Sequence, residues 1–206
     1  MMHEQVAIIE EPINAYVGTP DYELASACQQ GDKAAFQKLV KQYQEKVRGL
    51  VYSILNDPEL IDDLTQEIFI KVYTSISRFE HRSSLSTWIY RIAVNHCRDE
   101  IRRKRIRRWF SLEKMELDPI AVGERTDGKM LQNEKIDMVR WGLSQISEKH
   151  RSIIVLKDFE NLSYEEIARI LDLELGTVKS RLNRARTALK EVLDPHWSFE
   201  NDDMED

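Results

Sequence analysis

The chain has 206 residues, 42% of them hydrophobic and 32% charged, and a formal net charge of −6. With only 7 Gly and 5 Pro, the composition favours helices over turns and predicts an all-α fold. No run of about 18 apolar residues is present, so no membrane span is predicted, and the first twelve residues lack the basic leader of a signal peptide. Two cysteines exclude a disulfide framework and indicate a reducing cytoplasm.

Charge is concentrated in three segments. Residues 98–108 contain seven Lys or Arg and two acids, a local charge of +5. Residues 177–190 contain five Lys or Arg and no acid, again +5. Residues 194–206 contain six acids and no Lys or Arg. Two basic patches on an acidic chain indicate a polyanionic partner, with acidic surface left for a different contact.

The chain is expected to begin with a mobile arm at 1–20, which shows no sustained hydrophobic period and contains three turn-forming residues. A short helix is predicted at about 21–30 and ends at Gly31. Asp32 is placed to cap a longer second helix, whose apolar residues keep a spacing of three and four as far as Ile54.

A third helix is expected at about 59–77, with apolar residues in steps of four. Its other side carries charged and amide groups: Asp62, Asp63, Gln66, Glu67 and Lys71. The three acids and the amide have no local partner in the sequence, and an ordinary solvated helix start enriched in acids is one explanation.

The fourth predicted helix carries the stretch SSLSTWIYRIAVNHCRDEIRRKRIRR at 83–108. Ser83 or Ser84 is placed to cap it. One side of the helix is apolar, and another combines a hydroxyl, an amide and guanidinium groups with Trp88 at its border: Thr87, Arg91, Asn95, Arg98, Arg102 and Arg105. Unstacked bases are held by aromatic rings, amide edges and arginines along the backbone, so this side predicts contact with opened DNA strands. The alternative is that Trp88 and Tyr90 are core aromatics and the arginines are solvated; for Trp88 alone, the core position is the favoured prediction.

The helical pattern stops between 107 and 131, where one proline and two glycines interrupt the sequence. This predicts a linker between two small helical domains, 21–106 and 132–193, with an acidic tail at 194–206.

A helix-turn-helix is predicted at 162–193. Ser163 and Glu166 form a capping box at the start of a short helix, DLELG forms the turn, and Thr177 is placed to cap the second helix. The second helix has a narrow apolar stripe and an opposite side suited to the DNA major groove: Lys179, Ser180, Asn183, Arg184 and Thr187. A plain helical hairpin with a solvated basic side is the alternative.

Two long segments resemble conserved regions 2 and 4 of bacterial RNA polymerase sigma factors: DLTQEIFIKVYTSISRFEHRSSLSTWIYRIAVNHCRDEIRRKR and HRSIIVLKDFENLSYEEIARILDLELGTVKSRLNRARTAL. The two-domain form with a short linker is similar to the extracytoplasmic-function (ECF) group, and the resemblance covers about 22–193. It implies a protein without enzymatic activity, cofactor or metal that binds core polymerase, recognises promoter −35 and −10 elements and opens the DNA.

The resemblance also assigns contacts. The polar side of the third helix would dock on the clamp coiled coil of the largest polymerase subunit, and the flap of the second-largest subunit is a further expected partner. Contacts to the −10 element, with a flipped base held in the loop 79–84, are expected from Phe79, Arg82, Ser83, Ser84, Thr87, Trp88, Arg91, Asn95, Arg98 and Arg102. Contacts to the −35 element are expected from Thr177, Lys179, Ser180, Arg181, Asn183, Arg184 and Thr187.

The family further implies a stress or envelope response and an anti-sigma factor, through which the cytoplasmic protein would reach a membrane only indirectly. Ser147 stands where the family usually has Pro, and it is also suited to cap a helix.

Two other hypotheses stay open. A free-standing helix-turn-helix regulator would bind duplex DNA without polymerase. A metal-dependent nuclease or recombinase would use Asp62, Asp63 and Glu67 as ligands, but adjacent residues diverge by about 100° around a helix and no distant third ligand stands out.

Overall fold

The computed structural model describes residues 16–111 and 130–197, and within these ranges every regular element is helical. The α-helices in chain order are α1 (Pro20–Gln29), α2 (Lys33–Leu55), α3 (Ile61–Ser75), α4 (Leu85–Ser111), α5 (Met130–Gln145), α6 (Glu148–Ile154), α7 (Tyr164–Leu171) and α8 (Leu175–Trp197). Short 3-10 turns flank α3, and a π-helical turn, Val155–Phe159, continues α6. The all-α fold class predicted from the sequence is confirmed. Among the described helices, none combines the length and apolarity that a membrane crossing needs.

Local sequence signals set several helix boundaries. Thr19 Oγ1 accepts a hydrogen bond from a backbone N–H in the first turn of α1, and Pro20 takes the first helical position. A proline is tolerated there because that N–H would have no helical partner; Pro20, assigned to the arm on the sequence, therefore starts a helix. The Asp32 carboxylate accepts two N–H groups at the start of α2, at 2.8 and 3.1 Å. Asn56 ends α2 in a left-handed conformation, φ 51°.

Helices α1 to α4 form the first bundle. The apolar spacing of α2 places a continuous stripe in its core: Leu39, Tyr43, Val47, Leu50, Val51 and Ile54. The Tyr43 hydroxyl donates to Asp21 Oδ2 at 2.5 Å, which ties α2 to α1. Burial, followed by this bond to Asp21, raises the pKa of Tyr43, so the phenol remains a donor.

Helices α5 to α8 form the second bundle. Its core takes the apolar residues of α6, the π-helical turn, α7 and the buried stripe of α8: Ile153, Ile154, Val155, Leu156, Ile167, Ile170, Leu171, Val178, Leu182 and Ala185. Ser147 caps α6, since its hydroxyl accepts from the His150 N–H. Gly142 lets α5 approach α8 closely, because a Cβ there would lie 2.7 Å from Leu193 Cδ2.

Arg151 joins the two bundles. Its Nη1 donates at 2.8 Å to the carbonyl oxygen of Ile54, near the end of α2. Its Nη2 donates to the carbonyl oxygens of Ser144, at 3.0 Å, and Ile146, at 3.2 Å. Burial lowers the pKa of Arg151, but an arginine stays charged at neutral pH because its ordinary pKa is so high. A cation that satisfies carbonyls near a helix end is a favourable arrangement.

The predicted linker and the predicted tail both differ from the structure at their edges. Helix α4 continues through Ser111 and α5 begins at Met130, so helix extends into both ends of the predicted linker. Helix α8 continues to Trp197 through Pro195, so the first residues of the predicted acidic tail are helical. The periodic spacing of apolar residues fades near helix ends, because side chains there no longer face a core. It therefore does not locate the last residue of a helix. The rest of the predicted arm, linker and tail lies outside the described residues.

Replacing Arg151 by methionine tests the joint between the bundles. Arg151→Met leaves three carbonyl oxygens without their charged donor and should lower the free energy of unfolding by about 2–4 kcal/mol. Urea denaturation of the full chain measures it. Lys190→Met, at an exposed position of α8, is the control and should change stability by less than about 0.5 kcal/mol. Equal stability of the two variants would contradict the assigned role of Arg151.

Candidate nucleic-acid interface

The helix-turn-helix is present in α7 and α8. The capping box forms as predicted: Ser163 Oγ accepts from the Glu166 N–H at 3.1 Å, and Glu166 Oε2 accepts from the Ser163 N–H at 2.9 Å. The turn is shorter than predicted, because α8 begins at Leu175. The prediction that Thr177 caps α8 is therefore wrong: Thr177 is the third helical residue, and the Glu174 carbonyl accepts the first helical hydrogen bond. The backbone N–H groups in the first turn of a helix have no acceptor within the helix. Several neighbouring positions can therefore serve as its first residue, and the sequence alone does not identify which one does.

The outward side of α8 carries the residues predicted for duplex contact. Lys179, Ser180, Asn183, Arg184 and Thr187 are all exposed, and Arg181 is half-buried. The Ser180 and Thr187 hydroxyls donate to carbonyl oxygens of α8 itself, each at 3.2 Å. Arg186 instead pairs with Asp158. The lysine, the amide and the arginine of this side are thus the groups best placed to reach base edges or phosphates.

Hydrogen bonds from α1 hold the loop 79–84 in place. Gln29 Nε2 donates to the carbonyl oxygens of Ile76, at 3.1 Å, and Phe79, at 2.7 Å. Its Oε1 accepts from His81 Nε2 at 3.2 Å. Phe79 is buried, with its ring centroid 5.1 Å from that of Trp88. Sequence analysis missed Gln29, because a single amide before a helix stop carries no periodic or motif signal.

A cleft of about 320 Å³ opens beside this loop, lined in part by Tyr22, Phe79, His81 and Ser84. His81 adopts a left-handed conformation, φ 55°, which is uncommon outside glycine and is found at functional loops. Its ring lies 4.4 Å from that of Tyr22. Burial lowers the pKa of His81, which favours a neutral ring at neutral pH. The cleft therefore presents an aromatic wall of the kind on which unstacked bases are held.

The polar side of α4 is only partly exposed. Ser84 caps the helix, since its hydroxyl accepts from the Thr87 N–H at 3.1 Å. The exposed members of the predicted set are Arg91, Asn95, Arg102 and Arg105. Thr87 is only 2% exposed, so its prediction as an open surface position is wrong for this packing, whereas Trp88 is buried, as the core alternative predicted. The helical wheel groups Thr87 correctly with Asn95, but it does not show that a second domain covers the start of α4.

Three glutamates of the second bundle bind this side of α4. Each carboxylate accepts a hydrogen bond from a residue of α4: Thr87 Oγ1 to Glu166 Oε1 at 3.3 Å, Tyr90 Oη to Glu160 Oε2 at 2.7 Å, and Arg98 Nε to Glu148 Oε1 at 3.0 Å. Burial, followed by the bond to Glu160, raises the pKa of Tyr90, so its phenol remains a donor. Thr87 and Arg98 are predicted DNA contacts, and in this packing carboxylates occupy their donor groups.

The polar side of α3 is exposed but has more local partners than predicted. Arg48 Nη2 lies 3.2 Å from Asp62 Oδ1. Glu67 and Lys71 both contact His96 of α4, and Asp63 and Gln66 point to solvent. The expectation that the acids and the amide of this side lack local partners is therefore wrong for Asp62 and Glu67.

The same helix exposes two large apolar side chains that sequence analysis took for neither core nor site. Ile70 is 62% exposed and Tyr73 is 53% exposed, and the Tyr73 ring lies edge-on to Phe36 at 4.9 Å. Ile70 and Tyr73 lie seven and ten residues after Asp63, and this spacing places all three on one side of α3. Exposed apolar groups beside an acid and an amide are typical of a protein-binding surface.

A metal site is not assembled in the described residues. No group of three or more His, Cys, Asp or Glu side chains in that part of the chain is placed to hold an ion. The carboxylate of Glu67 is directed to His96, away from a shared site with Asp62 and Asp63. Cys97, next to His96, is buried, and burial raises the pKa of its thiol to about 12. This geometry disfavours the metal-dependent nuclease hypothesis.

Comparison with known proteins gives matches along both bundles. Residues 39–107 match the family model Sigma-70 region 2, and residues 142–189 match Sigma-70, region 4. The chain is 35% identical to the RNA polymerase sigma-H factor of Pseudomonas aeruginosa, over 85% of this chain and 94% of the relative. It is 38% identical to the ECF RNA polymerase sigma-E factor of Haemophilus influenzae, over 85% of this chain and 96% of the relative.

A solved structure is also similar. The sigma factor RpoE of Bartonella quintana, solved in complex with the anti-sigma factor NepR, has a TM-score of 0.63 and 26% identity. The match covers 77% of this chain and 96% of that one.

Replacing Gln29 tests its hold on the loop. Gln29→Leu removes three hydrogen bonds, to the carbonyls of Ile76 and Phe79 and from His81 Nε2, and should speed amide hydrogen exchange across 76–84, with a loss of stability of about 1–3 kcal/mol. Gln30→Leu, at the neighbouring exposed glutamine, is the matched control and should leave exchange in this loop unchanged. Equal exchange rates in both variants would mean that Gln29 does not position the loop.

Proposed function

The chain belongs to the extracytoplasmic-function group of the sigma-70 family, and from this membership we propose that it directs promoter-specific transcription initiation by RNA polymerase. The exposed donor side of α8, on a helix-turn-helix in the matched region 4, is the observation that carries the proposal. The protein supplies specificity and strand opening and catalyses no bond chemistry itself. It acts where core polymerase acts, in the cytoplasm.

For the −35 element, α8 enters the major groove. Lys179, Asn183 and Arg184 project from the exposed side of the helix, and arginine and asparagine are suited to hydrogen bonds with base edges. The buried stripe of α8 fixes the helix on its own domain. Ser180 and Thr187, which donate to α8 carbonyls, are closer to phosphate-positioning residues than to base readers.

For the −10 element, the loop 79–84 and the adjacent side of α4 bind opened strand. The cleft beside His81 provides the aromatic wall for an extruded base, and Asn95 and Arg91 extend the surface along α4. Full use of this surface requires the second bundle to leave it, because Glu148 and Glu166 hold two of its donors.

For polymerase docking, α3 presents Asp63, Gln66, Ile70 and Tyr73 as one exposed stripe. An acid and an amide next to two apolar side chains fit the side of a clamp coiled coil, whose outward positions are charged and whose seam is apolar. The flap of the second-largest subunit is the proposed partner of the second bundle.

We further propose that an anti-sigma factor holds this protein and that release belongs to a stress or envelope response. The similar sigma factor of Bartonella quintana was solved with its anti-sigma factor. In the chain described here the −10 surface is already partly covered by the second bundle. A partner that stabilises this packing needs only to bind across both bundles to keep the protein silent.

Charge reversal on the exposed stripe tests the docking proposal. Asp63→Arg with Gln66→Arg should abolish capture of core RNA polymerase and transcription from genomic promoter fragments, since two cations replace the acid and amide of the docking side. The matched control is Glu45→Arg with Gln44→Arg, an exposed acid and amide on α2, which should bind and transcribe as wild type. A wild-type chain that ignores core polymerase yet shifts duplex DNA would instead be a free-standing regulator.

Single substitutions separate the two DNA surfaces. In holoenzyme, Arg184→Ala should weaken binding to −35 duplex by about 1–3 kcal/mol and relax specificity at one position. Asn95→Ala should leave polymerase and −35 binding unchanged but reduce promoter opening, followed by base-analogue fluorescence at the −10 element. Lys41→Ala, at an exposed position of α2, is the control for both assays. Loss of polymerase affinity in the Asn95 variant would indicate a folding role and remove the assignment.

A further inference from the structure

A buried histidine of α4 contacts two residues on the polar side of α3, next to the proposed docking stripe Asp63–Gln66–Ile70–Tyr73. His96 is 2% exposed. Its Nε2 lies 2.7 Å from Glu67 Oε2, and its Nδ1 lies 2.8 Å from Lys71 Nζ. Glu67 and Lys71 are one turn apart on α3 and both are exposed. The buried imidazole therefore forms hydrogen bonds with two exposed side chains of opposite charge.

The chemistry of the two partners fixes the protonation of the ring. An ionised carboxylate only accepts hydrogen bonds and an ammonium only donates them. Nε2 must therefore carry the proton that is donated to Glu67, and Nδ1 must present its lone pair to Lys71. The arrangement uses both ring nitrogens of one neutral tautomer, so each surface side chain is held in a single direction.

We propose that His96 is a positioning residue for polymerase binding: it orders Glu67 and Lys71 on α3 before the clamp arrives. This inference rests on the proposed docking function of α3. Long charged side chains lose rotamer freedom when they enter an interface, and ordering them beforehand removes part of that cost. Because His96 follows Asn95 on α4, the same turn that contacts the −10 element also fixes part of the docking surface.

A purely structural role explains the arrangement less well. Glu67 is 54% exposed, and hydrogen bonds and ion pairs to exposed side chains add little to folding stability. An apolar residue at position 96 would fill the same space without a buried polar ring that needs partners. The imidazole instead fixes the orientation of two solvent-facing side chains.

The test measures the affinity of the full-length chain for core RNA polymerase. His96→Leu removes both bonds and should weaken binding by about tenfold, the scale expected when two long side chains must be ordered on binding. His96→Gln retains one donor and one acceptor at similar reach and should stay within about threefold of wild type. If His96 acts through these two side chains, adding His96→Leu to Glu67→Ala/Lys71→Ala should weaken binding by less than about twofold further.

Thermal unfolding and −35 duplex affinity of each variant show whether the fold is kept. Should the leucine variant fail to fold, His96→Asn replaces it, because the shorter amide stays polar but does not reach Glu67. Its amide oxygen can still accept from Lys71 in place of Nδ1, so a smaller loss of affinity than for leucine is expected, with no further loss when it is added to Glu67→Ala.

The outcomes separate this inference from the docking proposal. Wild-type affinity of His96→Leu, with affinity lost in Asp63→Arg/Gln66→Arg, overturns the role of His96 and leaves the docking proposal standing. Equal weakening by leucine and glutamine together with lower thermal stability also overturns it, since that is the signature of a structural residue. Wild-type affinity in every variant removes both the inference and the docking side.

Discussion

The side chains of α4 complete the core of the first bundle, carry the proposed −10 contacts and support α3. The rest of the structure depends on which of its residues serve each of these three purposes. Its apolar side, with Ile89, Ala93, Val94 and Cys97 fully buried, completes the first bundle. Its polar side carries the proposed −10 contacts and also receives three glutamates of the second bundle. Between the two sides, His96 supports α3. A polar group on α4 therefore has competing partners, and which partner it binds depends on how the two bundles sit.

This packing covers part of one proposed DNA surface and leaves the other proposed surfaces open. The donor side of α8 and the stripe Asp63–Gln66–Ile70–Tyr73 are exposed, whereas Thr87 and Arg98 each donate a hydrogen bond to a carboxylate. The proposed duplex reading and polymerase docking are thus compatible with this packing, and full use of the proposed opened-strand surface is not. Of the three glutamate contacts, Arg98–Glu148 is a half-buried ion pair, and the other two are hydrogen bonds from the buried Thr87 and Tyr90 hydroxyls to carboxylates, which contribute about 1.5–3 kcal/mol each. Arg151, with three carbonyl partners, is the firmer joint.

Local sequence signals predicted most of the helices but few of the contacts between them. The period of α2, the Asp32 cap, the capping box at Ser163 and the exposed side of α8 follow from near neighbours in the chain. Gln29, His96 and the burial of Thr87 do not, because their partners lie 25 to 79 residues away. Periodicity places a residue on one side of a helix but cannot tell which other element covers that side, and an isolated Gln or His has no motif to single it out.

Competition between the second bundle and opened DNA for α4 is tested most directly by a distance across the two bundles. Spin labels at Gln44→Cys on α2 and Lys190→Cys on α8 occupy exposed sites, while Cys28 and Cys97 are buried, with pKa values raised by burial, and should resist labelling. The free protein should give one short distance, and the complex with core polymerase and an opened promoter a clearly longer one. Persistence of the short distance in a transcribing complex would contradict the account, because Thr87 and Arg98 would then still be bound to glutamates while the DNA is open.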